Sequence, residues 1–379
     1  MTQMQPKRTL AILFGGRSGE HEVSLMSARS ILSVLDHTRY TVIEVGITHD
    51  GTWLTGPDAL TAFEQGQTGR LSPTSLLPDP ARPRLVITNN FTNSGHETPA
   101  LDSIDVDVFF PVLHGTYGED GTIQGLFELA DVAYVGAGVA GSAVGMEKGI
   151  FKDVMLANQI PVVNSITVLR SEVDLDIASV VNRAEKLGPY PIFIKPANLG
   201  SSVGITKCRS KSDLYEGLLE ACRYDRRIII ERGVNHPREI EVSVLGNDTP
   251  RVSIPGEIVP GADFYSYEAK YLLNTSELRI PAPLSEAQVT LIQALAVKAF
   301  KAIDCSGMAR VDFLLDTITG DIFLNEINTI PGFTKISMFP KLWEASGLSY
   351  SALIDCLIEL GLDRKADRER TSHQFRRDK

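Results

Sequence analysis

The stretch IFLNEINTIPGF, Ile322 to Phe333, opens as an apolar β-type run and closes on a glutamate, an asparagine and Pro-Gly. Side chains of a strand alternate faces, so Glu326 and Asn328 share one face while Ile327 takes the other. Just upstream, GMARVDFLLD (Gly307–Asp316) sets Arg310 and Asp312 together by the same rule, with Val311 and Phe313 opposite. Paired as a hairpin across TITGD, the two runs bring three oxygen donors and one arginine to a common face. Asp, Glu and Asn oxygens without His or Cys make a hard ligand set, suited to Mg²⁺ or Mn²⁺ and unsuited to zinc. Any one of these acids is explained by a solvated hairpin edge; four groups at the ends of apolar strands point to a site that holds a metal and, through it, substrate phosphates.

A chain of 379 residues exceeds one ordinary core and implies about two or three domains. The net charge of −10 argues against a general nucleic-acid binder, so anionic substrates must be met by local cations. Cys208, Cys222, Cys305 and Cys356 are scattered without a C-x-x-C pair, as in reduced cytosolic proteins. No stretch approaches the roughly 20 apolar residues of a membrane span. The basic and apolar KRTLAILFGGR at the start is too short for a signal peptide and reads as a first strand and turn.

Strand TLAILF, a turn at Gly15-Gly16, helical EVSLMSARSILSVLD and strand YTVIEVGIT make a βαβ unit. The stretch from about Gly66 to Ala100 reads as insertion and loop, and SAVGMEKGIFKDVMLANQ as one helix. From Pro161 the pattern turns α+β, with antiparallel REIEVSVLG and RVSIPGEIVP, a polar loop from Asp263 to Glu277 and a long helix before the hairpin. A charge-dense tail after Leu362 reads as disordered.

KPANLGSSVG, Lys195 to Gly204, joins two apolar strands and offers glycine backbone, serine hydroxyls and a lysine, which is what a polyphosphate needs, though without the order of a P-loop. Glu231 ends the strand IIIERGV, where a carboxylate can accept from an adenine amino group. EAKY, Glu268 to Tyr271, lies in a long loop of the kind that forms lids. GAGVAG, Gly136 to Gly141, matches the dinucleotide fingerprint but lacks the acid about 20 residues on, which favours a plain turn and helix start. HEVSL stops short of H-E-x-x-H because its fifth residue is Leu25.

Together GGRSGEHEVS, HGTYGEDG, KPANLGSSVG, EAKY, GMARVDF and NEINTIPGFTKISMFP occur in the order and spacing of the D-alanine-D-alanine ligases of the ATP-grasp superfamily, and the chain resembles them from about Arg8 to Leu362. The resemblance implies α/β and α+β architecture in a three-domain ATP-grasp fold: a Rossmann-like βαβ domain over 1–136, a central domain over 137–235, a C-terminal domain with lid and metal site over 236–362, and the tail 363–379. It implies that ATP activates one D-alanine as an acyl phosphate, which a second D-alanine attacks to give the dipeptide for peptidoglycan, ADP and phosphate.

By the same resemblance Glu22 holds the first D-alanine's ammonium, with His114 beside its carboxylate, and Ser201 and Tyr271 hydrogen-bond with Glu22. Lys148, Lys195 and Lys270 take the ATP phosphates, Glu231 and the backbone near Val234 the adenine, and Glu239 the ribose. Arg310 and the Gly332 amide form the oxyanion site, Gly332 and Ser337 hold the second substrate, and Asp312, Glu326 and Asn328 hold two Mg²⁺ or Mn²⁺ ions. A cytoplasmic homodimer follows from the resemblance alone. Tyr271 after the lid lysine is the dipeptide type, against the alternative of D-lactate as second substrate. A nicotinamide oxidoreductase built on GAGVAG is the rival from another class.

Overall fold

The computed structural model describes residues 7–93, 96–200, 203–234, 236–259 and 277–372. Among these residues the strands form three sheets. The first contains β1 (Arg8–Gly15), β2 (Tyr40–Ile47), β3 (Trp53–Thr55), β4 (Ser72–Leu76), β5 (Arg84–Asn93), β6 (His96–Asp105) and β7 (Val108–Pro111), in the order β6-β5-β4-β3-β2-β1-β7. β1 pairs in parallel with β2 and β7. Parallel strands are covered on both faces, which is why β1 is an unbroken apolar run. On one side Leu10, Ile12 and Phe14 pack with Leu25, Ala28 and Ile31 of α1 (His21–Leu32). Ala11, Leu13 and Phe109 pack on the other with Ile123 and Phe127. Helices α2 (Ala59–Glu64) and α3 (Thr122–Leu129), the latter carrying that pair, complete the unit.

The turn from β1 into α1 needs glycine. Gly15 has φ +84°, and a Cβ there would lie 2.3 Å from the Ile47 carbonyl oxygen. Its N–H donates to Ser24 Oγ at 2.8 Å, which fixes where α1 begins.

Two short helices follow, α4 (Val139–Met146) and α5 (Lys148–Ala157). The single helix expected here is broken at Glu147, whose backbone is extended and whose carboxylate caps α5 through Ile150 N–H. The second sheet, β8 (Ser165–Leu169), β9 (Ile192–Pro196), β10 (Thr206–Cys208) and β11 (Arg227–Arg232), has order β10-β9-β11-β8 and carries α6 (Arg170–Ala184) and α7 (Lys211–Tyr224). The third holds β12 (Arg238–Gly246), β13 (Arg251–Val252), β14 (Gly256–Val259), β15 (Glu277–Arg279), β16 (Gly307–Leu315) and β17 (Ile322–Asn328), with β13 on the edge of β12. One face of the third sheet buries Val242, Val311, Phe313 and Ile327 under Ala296 and Phe300 of α8 (Glu286–Ala302) and under Phe151 and Met155 of α5. The other face is left for chemistry.

The last helices, α9 (Met338–Ala345) and α10 (Tyr350–Arg368), return to the first sheet, where Leu353, Ile354, Leu357 and Ile358 join the β1 core. No single described helix is long and apolar enough to cross a membrane; α9 and α10 pass such a test only as a pair bent by 106°.

Two further expectations are corrected. The stretch read as a loop, Gly66 to Ala100, supplies β4, β5 and part of β6, because alternation in SPTSL and RLVIT is short and interrupted by turn residues. The tail read as disordered from Asp363 continues α10 to Arg368. Arg364 and Arg368 pair there with Glu128, and Lys365 with Asp131. Charge density signals disorder only where the charges have no folded partners.

Candidate active site

Antiparallel β16 and β17 set Arg310 opposite Asn328 and Asp312 opposite Glu326, while Val311 and Ile327 turn into the core. A register shift follows Asp312, so the four polar residues lie together on one side of the irregularity. Arg310 donates to both Asp312 oxygens, Nε to Oδ1 at 2.8 Å and Nη2 to Oδ2 at 2.6 Å, and its Nε lies 2.9 Å from Glu241 Oε2. Burial opposes the Arg310 charge, but Asp312 and Glu241 outweigh it and hold its pKa well above the ordinary value. Asn328 Nδ2 donates to Asp312 Oδ2 at 3.1 Å. Glu241 was missed in the sequence, although Glu239 and Glu241 stand at i and i+2 of REIEV, the alternation that singled out Glu326 and Asn328.

Facing this surface are lysines from α5 and β9. The break before α5 lets the Lys148 N–H donate to the Ala197 carbonyl at 2.9 Å and its Nζ to Leu199 at 2.6 Å, tying the helix to the Gly-Ser loop. Glu231 lies between two ammonium groups, Lys152 Nζ at 3.0 Å and Lys195 Nζ at 2.6 Å. Its carboxylate is therefore engaged by lysines, where the sequence reading offered it to an adenine. Lys152 was also missed; it stands one turn after Lys148, and its side chain is 2% exposed. Burial pushes the Lys152 pKa down further than Glu231 restores it, whereas for Lys195 the carboxylate more than offsets burial and the pKa rises. For Glu231, burial favours the neutral acid but the two lysines prevail and lower its pKa to about 2.

A depressed carboxylate pKa contributes stability that is present above its unfolded value, about 4.3, and lost as pH falls toward the folded one. Glu231→Gln is therefore expected to lower the urea midpoint markedly at pH 6, since breaking a buried pair costs about 3–5 kcal/mol. At pH 3 the difference from wild type should shrink, and a gap that is constant over that range would contradict the pairing.

A third group comes from the first sheet. Glu20 reaches between two loops: a Cβ at Gly115 or Gly200 would lie 2.5 or 2.8 Å from its Oε2, and Gly115 also has φ +74°, which requires glycine there. Burial lowers the His114 pKa, and its Nδ1 lies 3.0 Å from the Ile330 carbonyl, which can only accept. Neutral His114 thus carries its proton on Nδ1 and accepts at Nε2 from Ser27 Oγ, 2.9 Å away. Glu119 accepts from Gly115 N–H at 2.8 Å and Ile330 N–H at 3.0 Å; burial, then the charge of Glu20, raises its pKa to about 8. The two peptide groups flanking Ile330 are so gripped, one through its N–H by Glu119 and the next through its C=O by His114, which fixes the segment leading to Gly332. Ser337 Oγ accepts from Thr334 N–H at 3.1 Å and stands close against Gly332.

These groups line one cavity of about 790 Å³, which brings together Glu20, His114, Lys148, Lys195, Glu231, Val234, Glu239, Arg310, Asp312, Glu326, Asn328, Gly332 and Ser337. Glu22 does not line it. Two residues on from Glu20, in the first turn of α1, it points elsewhere, is 69% exposed, and faces His49 at 3.8 Å. Of the two acids in GEHEV it is therefore Glu20 and not the expected Glu22 that reaches the cavity, because chain positions i and i+2 at the start of a helix face different sides. Ser201, Lys270 and Tyr271 lie outside the described residues.

Comparison with known proteins then decides the family. Residues 9–137 match the D-ala D-ala ligase N-terminus family and residues 154–359 the D-ala D-ala ligase C-terminus family. The D-alanine--D-alanine ligase of Heliobacterium modesticaldum is 48% identical over 366 residues, covering 97% of this chain and 98% of that one. That of Natranaerobius thermophilus is 45% identical over 371 residues, covering 97% and 99%. The chain belongs to the D-alanine-D-alanine ligase family. Among solved structures, the D-alanine-D-alanine ligase from Coxiella burnetii aligns with a TM-score of 0.79 at 36% identity over 97% of both chains. The VanG D-Ala:D-Ser ligase from Enterococcus faecalis aligns at 0.82 and 34% identity, over 94% of this chain and all of that one, 100%.

As a ligase of this family the chain has the ATP-grasp fold, and the dinucleotide reading of GAGVAG falls away for a local reason. A Cβ at Gly141 would meet the Asp304 carbonyl oxygen at 3.0 Å, and one at Gly307 would meet Gly136 at 3.0 Å. The glycines of that stretch serve helix and strand packing.

Proposed function

We propose that this ligase joins two molecules of D-alanine at the expense of ATP, through an acyl phosphate, to supply a peptidoglycan precursor. The observation that carries the reading is one cavity whose walls are lysines on one side, a hard-oxygen face on another, and Glu20 with neutral His114 on a third. Lys148 and Lys195 meet the polyphosphate, with Glu231, itself paired with Lys152, holding Lys195 in place; the backbone at Val234 meets the adenine and Glu239 the ribose. Asp312, Glu326 and Asn328 offer only oxygen donors besides the Asn328 amide nitrogen, a set that fits Mg²⁺ or Mn²⁺. Two such ions, when bound, would neutralise the triphosphate and the transferring phosphoryl group.

The first D-alanine places its ammonium at Glu20 and its carboxylate toward the γ-phosphoryl. That carboxylate attacks phosphorus, the bond to ADP breaks, and an acyl phosphate remains. Neutral His114 donates no second charge there. The second D-alanine, its carboxylate at Gly332 and Ser337, loses one ammonium proton to solvent, attacks the acyl carbon through the free amine, and passes a second proton to the departing phosphate as the amide forms. Arg310 and the Gly332 N–H meet the developing oxyanion, and phosphate leaves as the carbonyl re-forms. Ser201, Lys270 and Tyr271 take the roles that the family resemblance implies, with Tyr271 supporting D-alanine over D-lactate as nucleophile. The proposal extends to three domains bounded near 136 and 235 and to a cytoplasmic homodimer without nucleic-acid or membrane partners.

Phosphate release from ATP and Mg²⁺ tests it, with D-alanine, L-alanine or no amino acid, in wild type and Glu326→Ala. Release that requires D-alanine and collapses in the variant is the expected result. Wild-type enzyme indifferent to D-alanine would sink the substrate assignment, and an active Glu326→Ala would sink the metal face.

A further inference from the structure

We propose that His21, Glu22 and His49 form a second cation site, outside the cavity, that takes a divalent transition ion of the Zn²⁺ class. His21 opens α1 and is buried, with Nδ1 2.9 Å from the Gly16 carbonyl oxygen. A carbonyl only accepts, so Nδ1 bears the proton and Nε2 keeps its lone pair, the arrangement by which an outer hydrogen bond orients a ligating imidazole. His49, on the turn after β2, stacks on His21 with ring centroids 3.8 Å apart and planes 24° apart. Its Nε2 lies 3.8 Å from Glu22 Oε1.

One ligand atom from each residue lies within 4.8 Å of the others. A tetrahedral ion with bonds of about 2.0–2.1 Å needs its ligand atoms about 3.3 Å apart. Stacked rings direct their lone pairs side by side, so His49 must also turn off the stack to reach the ion; that turn and the remaining contraction fall on His49 and Glu22, both 69% exposed, while buried His21 stays as the anchor. Two nitrogens and one oxygen leave a fourth position for water. Imidazole donors favour Zn²⁺, Ni²⁺ and Co²⁺ over Mg²⁺, so the Mg²⁺ that serves the oxygen face leaves this trio available. The Arg17 side chain, which runs past Gly51, and the positive end of α1 both work against a cation and restrain the affinity.

Co²⁺ is the probe, added to nucleotide-free enzyme in excess Mg²⁺. One equivalent should develop the visible absorption of a low-coordinate, nitrogen-bound Co²⁺ and a paramagnetically shifted, slowly exchanging proton from His21 Nδ1–H. Both signals should vanish in His49→Ala, which alters an exposed turn and leaves Mg²⁺-ATP turnover unchanged, and persist in Glu326→Gln. Signals that survive His49→Ala but vanish in Glu326→Gln would assign the ion to the cavity and overturn the proposal, as would wild-type enzyme that develops neither signal.

Discussion

Glu20→Gln should lower kcat/KM for D-alanine by about thirtyfold to a few thousandfold, the effect of removing one partner from a buried charge pair worth about 2–5 kcal/mol. Glu22→Gln should stay within about twofold, as an exposed substitution does. The contrast rests on placement. Glu20 is 9% exposed, lines the cavity, and is hemmed by Gly115 and Gly200, so a substrate ammonium there is met by a desolvated carboxylate. Glutamine preserves the shape and removes the charge, which isolates the electrostatic part. Phosphate release titrated with D-alanine reads the effect, and its larger share should fall on the KM of the first D-alanine, because an ammonium is bound before and during phosphoryl transfer. Equal, small losses in both variants would remove Glu20 from the substrate site, and a larger loss in Glu22→Gln would reverse the assignment.

How far the sequence leads depends on the period of the element that carries each residue. Asp312, Glu326, Asn328 and Arg310 were legible because a strand period of two sorts them from Val311 and Ile327 without knowledge of the fold. Glu241 and Lys152 follow the same kind of rule, in a strand and a helix respectively, but each needed a partner from a distant segment before its role could be seen: Arg310 for one, Glu231 for the other. The choice between Glu20 and Glu22 rests on the direction of the first turn of α1, which the Gly15 turn and the Ser24 bond set. Long-range covers were also hidden. Arg364 and Arg368 look like tail charges until Glu128 lies beneath them, and the interrupted strands after Gly66 declare themselves only by adding to the edge of the first sheet.

Arg310→Lys should reduce kcat by about 10²–10³, the usual cost of losing an oxyanion donor, with little change in the KM for ATP. Lysine keeps the charge, so Asp312 and Glu241 are not left as unpaired buried acids and the protein should fold. What it loses is the planar fork: the wild-type guanidinium sets Nε and Nη2 on Asp312 and holds Glu241 as well, in a rigid plane that fixes the direction of every other N–H it carries. An ammonium drawn to the two acids has no rigid second edge to present. The loss should therefore appear in the chemical step, in single-turnover dipeptide formation, because a donor aimed at a developing charge acts in the transition state more than in the ground state. An unchanged kcat with a raised KM for ATP would instead make Arg310 a phosphate-binding cation that only braces the metal face.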